Sequence, residues 1–299
     1  MEKPIVLIGI PGSSLADEVA ASLERTAFPY YTRSLDAPLA GGPVTFAPGS
    51  VIWEGVDLLD AGAIFVERPV FPWPQARPPA ERSHTDFTNE QWIVFQREAS
   101  SLIVSAILAA ADVRPVVNPP AAAAHLAISP SIALDRLAIE GIPVHPWSLE
   151  PAPPRDRSGA GFVLDACGRD RWHTPERPRT GEPSLVLEAF AGEVVTFIVV
   201  GGMSVGALRY DSGGLWAKWH EAEGIGGEVP EPVPEAADLA SRAAAALKLD
   251  YAAVSICTGT SPLSVLLCEA GPDLAAWNGI LGGRLAHALA DHLASVASK

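Results

Sequence analysis

Residues 184–210 read SLVLEAFAGEVVTFIVVGGMSVGALRY. Three apolar stretches, Ser184 to Phe190, Val194 to Val200 and Met203 to Tyr210, have the length of strands, and Gly201-Gly202 between the last two is a hairpin turn signal. Toward the C-terminus a Pro-rich entry, Val229 to Pro234, leads to a predicted helix over Glu235 to Leu247. Strands are expected at Tyr251 to Cys257 and Ser264 to Glu269, and a closing helix from about Gly279 to Val296.

Toward the N-terminus the pattern is α/β. Ile5 to Ile10 is a continuous apolar run that ends in Pro11-Gly12-Ser13-Ser14, and Leu15 to Arg25 continues at helical spacing. Such a turn can bring backbone N–H groups to an anion at the helix start. It lacks the full Gly-x-Gly-x-x-Gly pattern, and no Lys-Ser or Lys-Thr follows it, so the alternative is a plain strand-to-helix turn. Apolar runs recur at Val51 to Trp53 and Ala63 to Val66, before a Pro-rich loop from Pro69 to Pro79. A helix is predicted from about Asn89 to Ala111, with Thr88 as its N-cap and Ile93, Phe95, Leu102, Ile103, Ala106 and Ile107 as its buried face. A short strand at Val113 to Val117 follows, then helices at about Ala121 to Ala127 and Ser131 to Glu140, the second stopped by Gly141 and Pro143. From Glu150 to Pro183 the composition turns to Pro, Arg, Gly and Asp, and only Gly161 to Ala166 reads as a strand.

Composition excludes several classes. A net charge of −14 disfavours binding to a nucleic-acid backbone, which requires clustered Lys and Arg. Cys167, Cys257 and Cys268 show no metal-ligand spacing and no disulfide framework, which points to a reducing compartment. The N-terminal apolar run is too short for a signal peptide, and no apolar stretch nears the ~18 residues of a membrane span, so a cytoplasmic protein without membrane partners is expected. No serine-hydrolase elbow, zinc-protease motif, Walker loop or EF-hand is present.

The ordered series of segments resembles the ATP-grasp ligases. Leu185 to Glu193, Phe197 to Gly202 and Ala207-Leu208-Arg209 are similar to the nucleotide hinge and the two core strands that meet it, while Ala237 to Leu249, Ala253 to Ile256 and Leu267 to Pro272 are similar to a helix and the metal-binding strands of the C-terminal lobe. Upstream, Phe65 to Pro69, Phe95 to Glu98, Val117-Asn118-Pro119 and Gly141 to Val144 resemble the RimK-like branch, especially ligases that crosslink ribosomally made peptides; Trp277 fits that branch too. The resemblance implies an α/β, ATP-grasp-like fold with an N-terminal Rossmann-like lobe over 1–118, a reduced middle lobe over 119–183 and a C-terminal mixed-sheet lobe over 184–299. It implies ATP and Mg²⁺ as cofactors. The implied partner is a peptide, a small-molecule carboxylate or an active ligase, and a homo-oligomer is compatible with it.

The same resemblance marks where this chain departs. Lysines that would reach the nucleotide phosphates should lie near Ser129-Pro130-Ser131 and in the middle lobe, yet none occurs between Lys3 and Lys218. A hinge pattern Gly-x-Asp-x-Arg here reads Gly192-Glu193-Val194-Val195-Thr196. The implied magnesium ligands, an Asp on one strand and Glu-x-Asn on the next, align with Ser255 and with Glu269-Ala270-Gly271, leaving Glu269 as the metal candidate. Arg209 is the catalytic candidate. Glu188 and Phe190 at the hinge are nucleotide-binding candidates, and Arg68, Arg97, Lys218 and His220 are substrate-binding ones, because arginine suits bidentate anion contacts and a Gly-rich loop often folds over a ligand. Phosphoryl transfer depends on positioning and electrostatics, and loss of one such donor typically costs ~10²–10³ in rate. Two readings stand: a ligase with a divergent site in which arginines such as Arg97, Arg136 or Arg209 replace the lysines, or a catalytically inactive relative that binds a peptide or partner.

Overall fold

The computed structural model describes residues 2–10, 12–35, 43–67, 88–120, 122, 130–150, 160–165, 172–173, 184–188, 193–210, 233–258 and 262–299. It divides into two compact units, residues 1–120 with 290–299, and residues 121–289.

In the first unit β1 (Ile5–Gly9) is a central strand, and its five consecutive apolar or small residues are all buried. It pairs in parallel with β2 (Tyr30–Ser34) on one side and, across α1 (Leu15–Arg25) in sequence, with a later strand on the other. A continuous apolar strand is what a parallel sheet covered on both faces requires. A three-stranded meander of β3 (Val44–Ala47), β4 (Ser50–Trp53) and β5 (Val56–Asp57) intervenes before β6 (Ala63–Val66). Helix α2 (Asn89–Ala111) and β7 (Val116–Val117) complete the sheet order β2-β1-β6-β7. The core joins Val6, Ile8 and Ile64 of the sheet to Trp53, Leu58 and the Ile103, Ala106, Ile107 and Ala110 face of α2. Thr88 and Gln91 close a reciprocal capping box at the start of α2. By length and composition Glu90–Ala111 could cross a membrane; here one face of it belongs to this core.

The second unit opens with α3 (Pro130–Ile139), followed by β8 (Trp147–Glu150), β9 (Ala160–Asp165), β10 (Trp172–His173) and β11 (Ser184–Glu188) in an antiparallel sheet of order β10-β9-β11-β8. The middle of the chain therefore holds more strand than its polar composition suggests, because ladder hydrogen bonds do not require apolar side chains. A second antiparallel sheet runs β13-β12-β14-β15, built from β12 (Glu193–Val200), β13 (Met203–Tyr210), β14 (Tyr251–Thr258) and β15 (Ser264–Glu269). Helix α4 (Pro234–Ala246) connects β13 to β14 and buries Ala236, Leu239, Ala240, Ala243 and Ala244. The closing helix expected from about Gly279 to Val296 starts later, as α6 (Arg284–Ala297), and Gly279 and Ile280 end a separate helix before it, α5 (Leu274–Ile280). Between them Gly282 and Gly283 take φ of +59° and +83°, a left-handed pair that a continuing helix cannot contain.

Candidate functional site

The C-terminal sheet sets the geometry. Cross-strand partners in an antiparallel ladder point to the same face. Thr196 lies opposite Ser255 and Leu208, Ser255 opposite Leu267, and Ala253 opposite Glu269, so Thr196, Ser255 and Glu269 share one face. Arg209 lies opposite Val195, one residue out of phase, and belongs to the other face. There its Nε sits 3.2 Å from Oε2 of Glu193, with both side chains about half exposed, 55% and 54%. The register thus separates Arg209 from Glu269 and gives the arginine a partner of its own.

Thr196 and Ser255 are the polar interruptions in two strands that are otherwise buried and mainly apolar. Their hydroxyls lie 2.8 Å apart, at 0% and 1% exposure. Each is the other's partner in a place where an unpaired hydroxyl would be costly. These are the two positions at which the resemblance implies an arginine and a magnesium-binding aspartate. A neutral hydroxyl pair bridges the two adjacent strands there.

Glu269 ends β15 half-buried, beside Cys268, whose thiol is pushed up by burial first and by the Glu269 charge second. Magnesium takes oxygen ligands in near-octahedral order, commonly one or two carboxylates with phosphates and waters. Glu269 is one carboxylate, Ala270 and Gly271 follow it, and the Ser255 hydroxyl is engaged. Among the described residues no group of three or more His, Cys, Asp or Glu is placed to hold a metal ion. This set does not fit the magnesium site that the resemblance implies.

At the other edge of the site, β11 ends at Glu188, whose side chain is exposed. Its backbone is engaged on both sides: its N–H donates to Pro146 O at 3.1 Å, and its carbonyl lies 2.8 Å from His145 Nε2. A carbonyl only accepts, so Nε2 carries the hydrogen. His145 is buried, and its own N–H donates to Val265 O of β15 at 2.8 Å, while Val265 N donates to Pro143 O. Residues 143–145 therefore tie the end of β11 to β15. Sequence reading missed His145, because its partner is a main-chain carbonyl 43 positions away. Thr196 and Ser255 carried a signal, a hydroxyl inside an apolar strand, but their pairing needs the register.

Arg97 is exposed on α2 in the first unit, and Arg136 is exposed on α3 in the second. Arg68, Phe190, Lys218 and His220 lie outside the described residues.

No protein-family model and no curated protein matches the sequence. Solved structures do match it. The ATP-grasp ligase PsnB, complexed with a minimal precursor, Mg and ADP, superposes at a TM-score of 0.72 with 20% identity, over 99% of this chain and 98% of that one. A RiPP-associated ATP-grasp ligase of Chryseobacterium gregarium, in complex with ADP and a leader and core peptide, gives 0.69 with 12% identity, over 98% and 97%. The macrocyclase MdnC of Microcystis aeruginosa MRC, bound with precursor peptide MdnA, gives 0.68 with 12% identity, over 97% and 99%. End to end, this chain has the fold of the ATP-grasp ligases.

Proposed function

We propose that this protein is a non-catalytic member of the ATP-grasp fold, one that recognises a peptide, or an active ligase acting on a peptide, without running Mg²⁺-ATP ligation itself. The observation that carries this reading is the Thr196–Ser255 hydroxyl pair. Fold alone does not assign chemistry; the site does. A ligase of this fold must hold a metal-bound nucleotide and stabilise charge on a transferring phosphoryl group, and both tasks need fixed charges facing the nucleotide. On the face that carries Glu269 the ladder offers two mutually satisfied hydroxyls, and Arg209 on the opposite face is paired with Glu193. Neighbours in fold were solved with a minimal precursor, with a precursor peptide, and with a leader and core peptide, and that favours a peptide as the recognised partner.

The test is calorimetric titration of the full chain with ATP, with and without MgCl₂, repeated on Glu269→Ala. No Mg²⁺-dependent binding at millimolar nucleotide is expected. Saturable binding that requires Mg²⁺ and disappears in Glu269→Ala would overturn the proposal and make the protein a ligase with a divergent site.

A further inference from the structure

Helix α2 packs one face into the first unit's core and leaves the opposite face bare. Ala99, Ile103, Ala106 and Ala110 are buried. At 3.6 residues per turn the other side carries Arg97, Ser101, Val104, Ser105, Leu108 and Asp112, all exposed, within an arc of roughly 100°. Val104 and Leu108, one turn apart, are 36% and 43% exposed and form an apolar stripe. Ser101 Oγ donates to Arg97 O at 2.9 Å, so its hydroxyl is already satisfied and can be covered without leaving an orphan. Among the described residues neither Arg97 nor Asp112, which bracket the stripe, has an ion pair.

This face is complementary to its own reverse. Laid antiparallel on a second α2 about a two-fold axis between Val104 and Ser105, Arg97 meets the partner's Asp112, Ser101 meets the partner's Leu108, and Val104 meets the partner's Ser105. Opposite charges face each other and each large side chain faces a small one, and the two-fold repeats every contact, as an isologous interface requires. A parallel pairing would set Arg97 against the partner's Arg97 and Asp112 against the partner's Asp112. A bilayer would offer Asp112 no partner. From Arg97 to Asp112 the contact runs about 22 Å, and one helix pair of that length lies at the small end of specific interfaces, so the association is reversible.

We infer that the outer face of α2 is a homodimer interface, on which two copies of this chain pair antiparallel with Arg97 of each copy against the partner's Asp112. The test is sedimentation velocity of the full chain across the micromolar range, at physiological ionic strength, which screens the −14 charge on each copy. A monomer–dimer equilibrium is expected. Leu108→Glu, a good helix former at an exposed position, should weaken it about tenfold or more by setting a charge against the apolar stripe. Arg97→Glu opposes two acids and Asp112→Arg opposes two bases, and each alone should weaken the dimer several-fold. Asp112→Arg also suits the end of the helix, so its loss of association cannot come from an unfolded α2. Mixed in equal amounts, these two charge variants should recover the association of the native chain, because in the mixed dimer both ends regain an opposite charge. A native chain that stays monomeric throughout, a dimer undisturbed by Leu108→Glu or by the single charge reversals, or a mixture that associates no better than its components would overturn the assignment.

Discussion

Thr196 and Ser255 give the sharpest test available at single positions. Thr196→Val keeps the shape but leaves the Ser255 hydroxyl buried with one fewer partner, which should cost about 1–3 kcal/mol in urea unfolding. Adding Ser255→Ala should cost less than the sum of the two single changes, because removing both hydroxyls leaves no orphan. Equal additivity would mean that the two side chains do not depend on each other. Asp57 carries a different kind of prediction. Burial pushes its carboxyl up, but hydrogen bonds from the Ser50 side chain and from the Val51 and Leu59 amides outweigh this, and the net shift is downward from 3.8. A carboxylate whose folded pKa is lowered adds stability above its unfolded value, and that stability is lost as pH falls through the folded one. Acid unfolding should therefore steepen below about pH 4. In Asp57→Asn, which cannot ionise, that limb should flatten, and an unchanged acid limb would remove Asp57 from the account.

Among the elements, β13 and the end of α5 meet so closely that a glycine is required. A Cβ at Gly206 would fall 2.5 Å from Cδ2 of Leu281, which is itself 2% exposed and has little room to move. Gly206→Ala should destabilise by about 1–3 kcal/mol, the usual range for overpacking, and Leu281→Ala in the same chain should recover part of the loss. Denaturant midpoints of the two single variants and the double one decide this. The same residues show how far element-level reading of the sequence reaches. β1 and β6 are buried on both faces and read as unbroken apolar runs, and the Gly201-Gly202 turn and the Thr88 cap are local signals, so these features were legible. The strand Tyr30–Ser34 was not, because an edge strand with one side in solvent needs no apolar run: its residues are all half-buried or exposed. The break at Gly282-Gly283 also passed unread, since α5 and α6 share an apolar spacing that continues across it. For the site, residue type marked Thr196, Ser255 and Glu269, but the opposite-face placement of Arg209 follows from pairing Val195 with Arg209, and register is a property of the whole sheet.

At the scale of the whole chain, the net charge of −14 and the two-unit division decide how any nucleotide effect must be measured. A strongly acidic protein repels itself, and added salt relieves that repulsion, so Mg²⁺ alone will raise stability without occupying a site. A true site adds RT ln(1 + [L]/Kd), about 2.7 kcal/mol when the ligand stands a hundredfold above its dissociation constant. Binding confined to residues 121–289 would raise the unfolding of that unit first, because units with separate cores need not unfold together. Differential scanning calorimetry with ATP and MgCl₂, set against ATP with NaCl at equal ionic strength, separates screening from binding. The non-catalytic reading predicts superimposable curves. A selective upward shift of one transition with Mg²⁺ would instead require cationic and carboxylate groups beyond Glu269 to converge on the nucleotide, and the Thr196–Ser255 pair would then be a neighbour of a working site, with no part in its loss.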